Sequence, residues 1–163
     1  DHATPASNPV GAAWFYAPDA PPGERPSGCV GADGRVGHWR NYVDPGELCY
    51  LNPPFGCREG ERRSQCYEWI PPTLEAAREG VPVVFVSTMS QRVEVPRFQP
   101  LFDADLLDAQ WYPTGRIPYV DPATGKVAAG TGQWPTMLLF YNFAPTKVAA
   151  AFGDRGVVLP IGR

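Results

Sequence analysis

Charge is scarce in this chain. Asp, Glu, Lys and Arg make up 19% of its 163 residues, and the net charge is −3 with no large block of one sign. Soluble domains usually carry ~25% charged residues. A nucleic-acid binder needs a basic stripe and an anionic-membrane binder a polybasic patch, so neither partner is expected. Long apolar runs are missing as well. The longest, around residues 83–86 and 137–143, are strand-sized and far short of the ~20 residues of a membrane span. No C-x-x-C pair occurs, which removes the usual redox dithiol. No Walker or dinucleotide glycine loop and no N-x-[ST] sequon occurs either. Histidine is limited to His2 and His38.

Proline, glycine and aromatic residues are plentiful. The chain holds 20 Pro and 17 Gly alongside 5 Trp, 7 Tyr and 8 Phe. Disordered chains are poor in aromatics, so this composition reads as a folded, loop-rich protein. A chain of this length buries roughly 70% of the surface it exposes when unfolded, enough for a real core. Prolines spread along the whole length leave little room for long helices.

Four cysteines, Cys29, Cys49, Cys57 and Cys66, fall in one glycine- and proline-rich stretch. Their even number predicts two disulfides, each stabilising that stretch by ~2–4 kcal/mol. Three connectivities are possible. Cys29–Cys49 with Cys57–Cys66 is favoured because short sequential loops close most cheaply. Zinc sites pair cysteines two to four residues apart, whereas the spacings here are 19, 7 and 8 intervening residues. No metal and no cofactor is therefore expected. Disulfides imply a secreted or other extracytoplasmic, non-reducing location. The polar start at Asp1 reads as a mature N-terminus after signal cleavage.

Along the chain, residues 1–28 read as an extended proline-rich arm. Within it, 12–17 would make a short strand, and Trp14, Phe15 and Tyr16 are candidate partner-binding anchors. Residues 29–163 read as one globular domain, with 29–70 the disulfide-stapled loop region and 71–163 the sheet-forming core. The clearest helix is predicted over 72–79, with Pro71 and Pro72 at its start and Gly80 as the residue after its end. A second short helix is predicted over 104–109, with Asp103 as N-cap. Strands are predicted at 83–88 and 136–143, the latter apolar on both faces and so the central strand. Two hairpins follow from turn residues: 117–120 with 126–129 around D-P-A-T-G, and 147–152 with 157–161 around G-D-R-G. The fold class predicted is α+β and β-rich: one small sheet of five to seven short strands, one or two short helices and a long stapled irregular segment.

Catalytic templates fail one by one. A Ser/His/acid triad needs a histidine. Only His38, in G-H-W-R with Asp44 six residues on, is placed for one. Asp103, Asp105 and Asp108 with Trp111 and Tyr112 close behind form a carboxylate–aromatic cluster that suits a glycosidase or a divalent cation. The competing reading is an acidic helix start favoured by the helix dipole. The run F-V-S-T-M-S at 85–90 is similar to a strand motif of ADP-ribosylating toxins. Those enzymes need a glutamate well downstream, and the last here is Glu94. The W-P-T at 134–136 is similar to the proline turn of thioredoxin-like domains, without their redox cysteine pair. Each likeness covers ten residues or fewer and assigns no family.

The reading that remains is non-catalytic. The expected function is a structural or binding subunit of an extracytoplasmic assembly such as a filament, surface layer, virion or envelope complex. Its partners would be other protein subunits, with self-association through the arm. The alternative is a small secreted effector, a hydrolytic enzyme or inhibitor, with its site near the cysteine-rich region.

Overall fold

The structure, a computed structural model, describes residues 15–16, 29–31, 33–55, 65–88, 96–118, 126 and 135–161. For 15–16 and 29–31 it describes the backbone alone. Among these residues, seven strands and two α-helices run in the order β1 (Phe15–Tyr16), β2 (Cys29–Gly31), β3 (Cys49–Leu51), α1 (Ile70–Arg78), β4 (Val83–Thr88), β5 (Leu107–Pro113), β6 (Thr136–Tyr141), α2 (Pro145–Phe152) and β7 (Gly156–Pro160). Short 3-10 turns occupy Trp39–Tyr42, Gln65–Trp69 and Gln99–Phe102. One mixed five-stranded sheet has the order β3-β4-β6-β5-β7. With two short helices this is an α+β arrangement. The chain divides into two compact units, Asp1–Phe85 and Val86–Arg163.

In the first unit, β1 pairs in parallel with β2, and β3 pairs in parallel with β4, Cys49 opposite Val83 and Leu51 opposite Phe85. Parallel neighbours need a crossover, and α1 lies within the one that joins β3 to β4. Pro71 and Pro72 sit in the first turn of α1, where a missing N–H costs nothing. The helix buries Ile70, Thr73, Leu74, Ala76 and Ala77, a 3–4 residue spacing that leaves Glu75 outside. Gly80 ends it at φ +80°, a conformation that favours glycine. Its N–H bonds the Ala77 carbonyl at 3.1 Å. Ahead of β3, Asp44–Glu47 closes a turn with Gly46 at φ +93° and the Glu47 N–H on the Asp44 carbonyl. The loop from 33 to 39 is held by Arg35, whose guanidinium meets the Asp33 carboxylate at 2.6 and 2.7 Å and also bonds Glu68. Buried Trp39 donates its indole N–H to the Gly34 carbonyl at 2.8 Å.

In the second unit, β5 is antiparallel to both β6 and β7. Leu107, Ala109 and Trp111 are buried while Asp108, Gln110 and Tyr112 are half-buried, the period-two pattern of a strand. The predicted helix over 104–109 is therefore corrected. Asp103 caps a turn, its carboxylate accepting the Asp105 N–H at 3.0 Å and its carbonyl accepting from Leu106 and Leu107. The apolar-in alternation from Leu107 onward outweighs the cap signal. The predicted 147–152 strand is also corrected, because those residues lie in α2. Pro145 presets the first turn, and Ala149, Ala150 and Ala151 are the strongest helix formers. From α2, Phe152 reaches Trp111 and Phe140, with ring centroids 5.1 and 5.5 Å apart. Buried Tyr141 donates its hydroxyl to the Leu101 carbonyl at 2.7 Å. Of the hairpin predicted around D-P-A-T-G, 119–125 and 127–129 fall outside the described residues, and Ile117 and Pro118 lie in no strand.

Candidate interaction surface and polar clusters

Strand β7 stands at one end of the sheet order. Its inner side is bonded to β5, with Val157 opposite Tyr112, Val158 opposite Trp111 and Leu159 opposite Gln110. Among the described residues, no strand pairs with its outer side. Side chains alternate across a strand, so Val157 and Leu159 share a face. They are 59% and 45% exposed. Opposed residues of an antiparallel pair share that face too, so Tyr112 and Gln110 continue it inward. The Tyr112 hydroxyl bonds the Gln110 side-chain oxygen. Burial raises the Tyr112 pKa above the ordinary phenol value.

Of the carboxylates singled out in the sequence, Asp103 and Asp108 each accept a backbone N–H. Asp103 serves its turn. Asp108 is the extra residue of a bulge, since Leu107 lies opposite Tyr141 and Ala109 opposite Phe140. Its carboxylate accepts the Phe143 N–H at 3.1 Å, and its carbonyl accepts the Ile161 N–H at 2.8 Å. Asn142, at φ +61°, makes the left-handed step that turns the Phe143 N–H toward it.

Cys49 and Cys66 are buried, whereas Cys57 and the Cys29 side chain lie outside the described residues. No disulfide is present among the described residues. As a thiol, Cys49 is pushed up to about 12 by burial, with Glu47 adding to the rise, so it is no nucleophile at neutral pH. Trp14 and the side chains of Phe15 and Tyr16 are also outside the described residues. The backbone of Phe15–Tyr16 pairs with Cys29–Gly31 of the same chain.

His38 stands just before the Trp39–Tyr42 turn in extended conformation. The acidic groups that meet it are Glu75 and Glu79, whose Oε1 atoms lie 3.5 and 3.8 Å from its Nδ1. All three residues are exposed. One ligand atom from each lies within 4.8 Å of the others, and among the described residues this is the cluster placed to hold a metal ion. Glu75 and Glu79 were readable as an i,i+4 pair on the predicted helix. Their meeting with a histidine more than thirty residues upstream was not.

No protein-family model, curated protein or solved structure matches this chain. No helix among the described residues is long and apolar enough to cross a membrane.

Proposed function

We propose that the chain is a non-catalytic structural or binding subunit of an extracytoplasmic assembly, joined to other protein subunits by strand addition at β7. The observation that carries this reading is the edge itself. Gly156-Val157-Val158-Leu159-Pro160 presents an uncharged strand with two exposed aliphatic side chains. Protein edges are ordinarily blunted by lysine, by proline, by inward-pointing charge or by a covering element; within this strand Pro160 is the one such interruption. An added strand gains main-chain hydrogen bonds along such an edge and reads alternate side chains for specificity. The low charge fraction of the chain supports the same reading. The proposed donor is the 1–28 arm of another copy, whose Phe15–Tyr16 already takes strand conformation in a two-residue pairing that is small to give up. The extracytoplasmic placement rests on the cysteine count.

Native mass measurement over a concentration series, on the wild type and on the double variant Val157→Lys/Leu159→Lys, tests the reading. The wild type should assemble. The variant should fall to monomer with unchanged melting, since both side chains are exposed. A wild type that stays monomeric, or a variant that assembles as before, overturns it.

A further inference from the structure

We infer that His38, Glu75 and Glu79 form a binding site for a divalent transition-metal cation of the zinc class. This site is independent of the β7 edge and lies in the other compact unit. Three observations converge on it. The first is donor chemistry. One imidazole and two carboxylates suit zinc and its neighbours, whereas calcium and magnesium take oxygen ligands. The second is spacing. Tetrahedral bonds of ~2.0–2.1 Å put ligand atoms ~3.3 Å apart. The imidazole nitrogen lies 3.5 and 3.8 Å from the two carboxylate oxygens. The three ligand atoms all lie within 4.8 Å of one another, and rotation of the exposed glutamate side chains brings them closer.

The third observation is that the carboxylates are badly placed without a cation. Glu75 lies in the last turns of α1 and Glu79 caps its C-terminus, the negative end of the helix dipole, where anions are disfavoured. They are also like charges at i,i+4, a repulsive spacing. A dication between them relieves both effects at once, while an imidazolium supplies one charge. His38 is held for the task by its neighbour. Trp39 is buried and bonded to the Gly34 carbonyl, which anchors the backbone from which His38 projects. Three protein ligands leave at least one coordination position to water or a partner's side chain.

Isothermal titration of the full chain, prepared without reductant, with Zn²⁺ tests the inference. Co²⁺ absorption serves as the second readout. One saturable site per chain is expected, insensitive to excess Mg²⁺ or Ca²⁺. His38→Ala, Glu75→Gln and Glu79→Gln should each weaken binding about tenfold or more, since even outer-shell changes cost that much. Asp154→Asn, an exposed acid elsewhere, should leave it unchanged. Bound Co²⁺ should show d–d bands without thiolate charge transfer, and those bands should vanish in His38→Ala. Absence of saturable binding, wild-type affinity in the three variants, or a thiolate charge-transfer band that places the ion on cysteine each overturns the inference.

Discussion

A single buried hydroxyl shows how sharply position decides what a residue does. Tyr141 lies fully inside the protein, its phenol donating to the Leu101 carbonyl. Burial first, and the nearby Asp103 charge second, hold its pKa well above the ordinary phenol value. Tyr141→Phe should cost about 1–3 kcal/mol, the penalty of leaving a buried carbonyl without its donor, measurable by urea denaturation. Its alkaline signature has a definite sign. Below pH ~10 the phenol is protonated in both folded and unfolded chains, and its contribution is whole. Above that, the unfolded tyrosine ionises while the folded one resists, so stability falls as pH rises toward the folded pKa. Tyr141→Phe should flatten the decline above pH ~10 relative to wild type. Tyr112, shifted the same way, should keep part of it. Asp108 makes the complementary case. Its carboxylate is engaged with the Phe143 N–H, so Asp108→Ala should destabilise the fold by about 1–3 kcal/mol.

Elements repeat the lesson through competing patterns. Strands β4 and β6 were legible because continuous apolar runs, V-V-F-V and M-L-L-F, leave no polar face, and both strands are buried along their whole length. Helix α1 was legible from its prolines and Gly80. Two segments were misread because a strong local signal hid a weaker periodic one. Asp103 looks like an N-cap, yet it initiates a turn into β5. The G-D-R-G turn suggests a hairpin, yet three alanines make the preceding segment α2. Strand β3 was not legible at all. Cys49-Tyr50-Leu51 is three residues long and becomes a strand only by pairing with β4. The sites divide similarly. His38 could be flagged, and Glu75 with Glu79 could be placed on one helix face, but their convergence is tertiary. The strand at 157–161 was expected, while its place at an open edge depends on which strand pairs with β5. At this scale Leu139→Ala, in the middle strand of the sheet, should cost about 2–5 kcal/mol in equilibrium denaturation. Gly156→Ala should also destabilise, by about 1–3 kcal/mol. A Cβ there would collide with the Tyr112 carbonyl oxygen and the Trp111 indole nitrogen, which forces β7 away from β5.

Across the whole molecule, the covalent state of the cysteines is the property that most affects where it can work. Two intramolecular disulfides are the proposed state, and unreduced, denatured protein should then take up no alkylating reagent in a mass spectrum. After reduction, Cys49 should stay unreactive at neutral pH as long as the protein is folded, because burial keeps its thiol protonated. Adding denaturant should make it react.

The one-sided attachment of β7 carries a consequence for motion. Strand β6 has neighbours on both sides, whereas among the described residues β7 holds to the sheet through β5 alone. Local opening of a protein starts where the fewest contacts must break. Amide protons of β7 that bond to β5 should therefore exchange with solvent deuterons well before those of β6, and at a rate that depends little on global stability. Each such opening would also uncover the inner strand behind it, so that for brief intervals β5 becomes the edge.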